Sequence, residues 1–174
     1  NIELKNKVPL ARLSSIDNIQ IKRLLDSGAR GLIIPMISNS KQIETIIQMM
    51  RYPPVGKRSV GLARAHKYGS NFKGYLSTEK KEIVLIIQIE HIDAVNNIED
   101  IMSSKFIDGY MIGPYDLSAS LGIPGDFENT LYKRTVNKIK DAGERYGVPS
   151  GIHVVEPNLN ELKKAIGKNY NFIA

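Results

Sequence analysis

The residues best placed to do chemistry are two carboxylates that follow short apolar runs. Gln88 and Glu90 close the run Ile83–Glu90, and residues two apart on a strand share a face, so both point the same way. A carboxylate at the end of an otherwise apolar strand is costly unless something compensates it. Either a salt bridge to a neighbouring Arg or Lys or a bound cation would do so. The next apolar run, Asp108–Pro114, leads into Tyr115, Asp116, Leu117 and Ser118, which puts a second carboxylate just past its carboxyl end. Adjacent strands lie about 4.8 Å apart, so Glu90 and Asp116 could share one ion. Alternatively Asp116 caps a helix or closes an Asx-turn over Ser118. Oxygen ligands with open positions suit a hard divalent ion such as Mg²⁺ or Mn²⁺.

Other charged residues add to this picture. Arg12 ends the run Val8–Leu13 as an anion clamp or a salt-bridge partner, and Arg64 in the long loop is a weaker candidate of the same kind. His66, His91 and His153 show no metal-ligand spacing and read as surface or packing residues. No Lys sits at the carboxyl end of a strand, which argues against a Schiff-base mechanism. Cysteine is absent, so disulfides, zinc–thiolate sites and thiol nucleophiles are excluded. A reducing cytoplasm fits that composition.

The elements that must position these residues alternate. Six continuously apolar runs, Val8–Leu13, Gly31–Met36, Ile83–Glu90, Asp108–Pro114, Ser150–Glu156 and Tyr170–Ala174, read as parallel strands covered on both faces. Between them, helical spacing appears at Ile19, Leu24 and Leu25; at Ile43, Ile46, Ile47 and Met50, entered at Ser40; at Ile92, Val95, Ile98 and Met102; at Leu131, Val136, Ile139 and Ala142; and at Leu159, Leu162 and Ile166. The stretch Arg51–Thr78, with its prolines and glycines, reads as one long loop, a type that is usually functional or disordered. Repeated βα units predict a parallel α/β fold, either an open doubly wound sheet or a closed barrel.

A complete eightfold barrel takes about 250 residues. The 174 residues here therefore predict a single domain, residues 1–174, holding six of eight strands of an incomplete (β/α)₈ TIM-type barrel. On that expectation two βα units precede Asn1 and a helix follows Ala174. No apolar run reaches the roughly 20 residues of a membrane span. The formal charge of +6 comes from basic residues scattered over helix faces, which favours an anionic small substrate over nucleic acid.

The ordered series of short motifs resembles the HpcH/HpaI family of class II pyruvate aldolases. It comprises Ala11-Arg12, Ile21 to Ala29, Pro35-Met36, Arg51-Tyr52-Pro53-Pro54 with Gly56 and Arg58, Gly61 to Ala65, Gln88-Ile89-Glu90, and Gly113 to Ser118. Leu13 departs from the family's frequent proline. The resemblance implies a (β/α)₈ barrel with Glu90 and Asp116 as ligands of Mg²⁺ or Mn²⁺, Co²⁺ being a third candidate. It implies that Gln88, Asp116 and the backbone around Tyr115 hold a pyruvate-like substrate. Arg12 would stabilise charge on the keto oxygen, and Asp26 would raise the basicity of a catalytic histidine that belongs to a βα unit upstream of Asn1. The implied activity is reversible cleavage of a 4-hydroxy-2-oxo acid to pyruvate and an aldehyde, in a cytoplasmic homo-oligomer whose partner is a small 2-oxo acid. A related acyl-CoA lyase of the citrate lyase β type would need a basic nucleotide-binding edge, and a non-catalytic barrel subunit would lose the carboxylates.

Overall fold

The computed structural model describes residues 5, 7–156 and 158–174. All six expected strands form: β1 (Leu10–Arg12), β2 (Gly31–Ile34), β3 (Val84–Ile89), β4 (Gly109–Ile112), β5 (Ser150–Ile152) and β6 (Phe172–Ile173). They are shorter than the apolar runs, because each run continues past the paired ladder into the loop that follows. Every pairing is parallel, and the strands lie side by side in chain order. This order bears out the barrel expected from strand count and length over a doubly wound sheet. A doubly wound sheet reverses direction at a switch point, whereas five crossovers of one sense keep all helices on one face and curl the sheet round the other. The result is a curled, incomplete (β/α)₈ barrel.

The two faces of the sheet carry different residues. Leu32 and Ile34, then Leu85, Ile87 and Ile89, then Tyr110 and Ile112, form one core with the helices. That core includes Ile21 and Leu25 of α1 (Asn18–Asp26), and Ile43, Ile46, Ile47 and Met50 of α2 (Ser40–Met50). The alternate positions Ile33, Ile86, Gln88 and Met111 turn to the barrel axis, since successive strand side chains face opposite ways. There the Phe172 ring lies over Gly151, where any Cβ would stand 2.0 Å from it.

Local structure follows the capping residues. Asp17 opens α1 by accepting from the Gln20 amide at 2.7 Å. Asn39, not the expected Ser40, caps α2, because Asn39 holds the extended conformation and Ser40 is already helical. The segment Ile92–Met102 is two helices, α4 (Ile92–Asn96) and α5 (Ile98–Met102). Between them Asn97 leaves the helical region and its amide donates to Ser38 O and Asp93 O, both at 3.0 Å. The long helix α7 (Thr130–Tyr146) ends at Gly147 with φ +68, the left-handed C-terminal position that glycine favours.

The stretch Arg51–Thr78 is more ordered than expected. It contains a 3₁₀ segment, Arg64–Gly69, and the first turns of α3 (Phe72–Glu82), whose helical signal Gly74 and the polar surroundings obscure. Phe72, Tyr75 and buried His66 stack against one another, so His66 is a packing residue as expected. The buried Arg51 guanidinium binds the Glu79 carboxylate at 2.9 Å and Ile83 O at 2.8 Å, which pins this stretch to the start of β3. Among the described residues, no helix is long and apolar enough to cross a membrane.

Candidate active site at the carboxyl end of the strands

Strand direction puts the ends of β1, β2, β3 and β4 at one mouth of the barrel, and four expected residues meet there. Arg12 is the last residue of β1, Glu90 follows β3, and Gln88 precedes it on the axis-facing side. Asp116 comes from α6 (Pro114–Ser120), a short helix after β4 that the sequence did not announce. Its N-cap is Gly113 and its first residue is Pro114, whose missing N–H would have been unpaired there anyway. Asp116 is therefore neither an N-cap nor an Asx-turn. Ser118 Oγ instead donates to Tyr115 O at 2.9 Å and accepts from the Gly125 amide at 2.9 Å. Tyr115 is exposed, with its ring edge-on to Phe127.

Glu90 is 1% exposed and is held at both oxygens. Oε1 accepts from the Met36 main-chain N–H at 2.7 Å, and Oε2 from the Gln88 amide at 2.5 Å. Burial pushes its pKa up, the Met36 hydrogen bond opposes this, the neighbouring Asp116 charge raises it further, and the Arg12 charge draws it down. Asp116 and Arg12 are thus close enough for their charges to act on the desolvated Glu90 carboxylate. This donor set fits a hard divalent cation: two acidic oxygen donors with further positions open. Among the described residues, no group of three or more His, Cys, Asp or Glu side chains gathers to hold a metal.

Two contributors escaped the sequence reading. Met36 has φ +55, a conformation that costs a side-chain-bearing residue roughly 1–2 kcal/mol, and its N–H reaches Glu90 from it. Pro35-Met36 carries no glycine that would have signalled such a turn. Gly113 stands in register with Glu90, one step past the Ile89–Ile112 pair. A Cβ there would lie 2.8 Å from Gln88 Nε2 and 2.8 Å from Glu90 Oε2. Gly113→Ala is therefore expected to push the Glu90 carboxylate off its position and, for a cation such as Mn²⁺ held there, would weaken binding by about 10-fold or more, the usual cost of disturbing a ligand's supports. Titration calorimetry checks this, and a variant with unchanged affinity would show that the gap is not needed. His153 occupies the next place in the same row, just past β5, and is exposed.

Asp26 and Arg64 are not brought to this mouth. Asp26 is the last residue of α1, and helices in this fold run opposite to the strands, so it lies at the amino end of the sheet. It accepts from Arg58 at 2.6 Å and Lys22 at 2.5 Å. Burial alone would raise the Asp26 pKa, but these two cations hold it below the ordinary aspartate value. Arg64 donates to Ser27 O at 3.1 Å at the same end. There it lines a cavity of about 410 Å³ together with Arg30, Lys67 and Tyr68. The long loop thus serves the end of the barrel opposite the carboxylates.

Comparison with known proteins places the chain in a family. A family model described as HpcH/HpaI aldolase/citrate lyase matches residues 4–174. A 2-keto-3-deoxy-L-rhamnonate aldolase of Klebsiella pneumoniae is 37% identical over 152 residues, covering 86% of this chain and 57% of that protein. One from Salmonella gallinarum is 34% identical over 164 residues, covering 93% and 61%. The chain thus spans about three fifths of the length of these curated relatives. Among solved structures, an HpcH/HpaI aldolase from Desulfitobacterium hafniense superposes with a TM-score of 0.88 at 28% identity, covering 99% of this chain and 66% of that one. A family protein from Burkholderia cenocepacia gives 0.89 at 28% identity, covering 96% and 66%. Motif series, sheet order and family match converge: the chain belongs to the HpcH/HpaI aldolase/citrate lyase family.

Proposed function

We propose that the protein is a metal-dependent, class II aldolase that reversibly cleaves a 4-hydroxy-2-oxo acid to pyruvate and an aldehyde. The observation that carries this reading is the buried Glu90 carboxylate with the Asp116 charge acting on it at the carboxyl end of adjacent strands. Glu90 and Asp116 would hold Mg²⁺ or Mn²⁺, and such an ion supplies Lewis-acid polarisation of the substrate's keto oxygen when bound. Gln88 orients Glu90 through its 2.5 Å hydrogen bond and borders the place of the pyruvate portion. Main-chain N–H groups around Tyr115, in the first turn of α6, face the substrate carboxylate. Arg12 stabilises the negative charge that grows on the keto oxygen as C3–C4 breaks and the pyruvate enolate forms. The 4-hydroxyl proton leaves to a base acting through water, which lets the aldehyde depart.

The names of the Klebsiella and Salmonella relatives point to a 2-keto-3-deoxy sugar acid, which has the 2-oxo and 4-hydroxy groups this chemistry requires. The acyl-CoA alternative is disfavoured by position. The basic cavity of Arg30, Arg64 and Lys67 lies at the amino end of the strands, opposite the end that carries Glu90. The test is pyruvate release from 2-keto-3-deoxy-L-rhamnonate by the full-length protein, followed with lactate dehydrogenase. Release is expected to stop in excess chelator and to return with Mn²⁺. Undiminished release in chelator would overturn the metal-dependent reading.

A further inference from the structure

The contact between Met36 and Glu90 joins the ends of two neighbouring strands at the candidate metal site. We propose that Met36 is a positioning residue whose main-chain N–H, presented from a left-handed turn, sets the orientation of the Glu90 carboxylate toward Asp116 and a divalent cation. This rests on the metal reading given above. The N–H donates to Oε1 at 2.7 Å while Gln88 donates to Oε2 at 2.5 Å. Each oxygen thus receives one neutral donor, and each keeps a lone pair for a cation. A carboxylate gripped from β2 and from its own strand cannot rotate freely, so its ligand geometry exists before the ion arrives.

The turn is over-determined by its neighbours. Pro35 is buried and has no N–H, and Ile37 is fully buried in the core. One residue further, Ser38 N donates to Gln42 Oε1 at 2.7 Å and Ser38 O accepts from Asn97 at 3.0 Å. With both flanks fixed, residue 36 absorbs the change of direction, and φ is +55 there. Conformations of this kind persist only where the surroundings enforce them, and they gather at functional sites. The Met36 side chain is 52% exposed, so side-chain burial does not explain its conformation. The main chain is the part in use.

The test is Mn²⁺ affinity, read by electron paramagnetic resonance on this chain, together with melting temperature. One variant replaces Met36 with its α-hydroxy analogue, which exchanges the N–H for an ester oxygen. It is expected to bind Mn²⁺ about 10-fold more weakly without a matching fall in melting temperature. Met36→Val, β-branched and unsuited to positive φ, should weaken binding similarly, while Met36→Gly, which accepts that φ, should bind more tightly than the Val variant. An ester variant within twofold of wild type would overturn the proposal, and it decides the matter even if the Val variant fails to fold. Amide hydrogen exchange separates this proposal from the metal reading. The Met36 amide should exchange slowly and lose that protection in Glu90→Ala. An unprotected amide overturns the positioning role. A protected amide in a wild-type chain that binds no Mn²⁺ overturns the metal reading and leaves the Met36–Glu90 contact standing.

Discussion

In the full-length protein, Glu90→Ala and Asp116→Ala are each expected to lower pyruvate release by about 10³-fold or more, since the Lewis-acid contribution of a bound cation amounts to several kcal/mol. The two carboxylates come from the ends of different strands and act on one another, so on the proposed reading removing either takes away one of the two ligands. Both variants should remain folded. Glu90 is a desolvated carboxylate beside a second acid, which in the metal-free protein is a cost to folding, and Asp116 is exposed on α6. The discriminating measurement is thermal unfolding with and without Mn²⁺. A bound ion stabilises the wild type by about 2.7 kcal/mol at a hundred times its Kd. Neither variant should show that increment. If both variants keep full activity, or keep a metal-dependent rise in melting temperature, the carboxylate pair is not the metal site.

In the full-length protein, Arg12→Lys is expected to lower kcat by about 10²-fold while changing KM little, because a preorganised donor acts on charge that is fully present only in the transition state. Arg12 ends β1 at the mouth shared with Glu90 and is near enough to draw down the Glu90 pKa. Lysine keeps the charge and loses the planar fork of donors, so a large kcat effect from this exchange identifies geometry as the source. Steady-state kinetics on a 4-hydroxy-2-oxo acid separates the two constants. A variant whose only defect is a raised KM would reassign Arg12 to ground-state anchoring of the substrate.

Much of this was legible because strand and helix periods are local. The apolar run Ile83–Glu90 with polar residues only at Gln88 and Glu90 states both a buried strand and the end at which chemistry sits, and β3 has that form. The run at Tyr110–Ile112 followed by Gly113-Pro114 likewise placed Asp116 beside it. Phe72, Tyr75 and Glu79 of α3 were less legible, since their burial depends on His66 and on the Arg51 guanidinium, partners that sit elsewhere in the chain. Arg64 shows the same limit: its residue type suits an anion clamp at either end of the barrel, and only the path of the loop assigned it to the amino end.

The sequence by itself determined the alternation of strands and helices and the carboxyl-end location of Glu90, Gln88, Asp116 and Arg12. These depend on side-chain type and on spacing along one segment. Only the tertiary structure decided that the strands pair in chain order, that Asp116 lies close enough to act on the Glu90 charge, and that Asp26 is bound to Arg58 and Lys22 at the opposite end. It alone showed that a left-handed Met36 and a side-chain-free Gly113 shape the space around Glu90. The physical reason is that strand order, register and backbone strain arise from contacts between segments far apart in the chain, each imposed by packing that no single segment encodes.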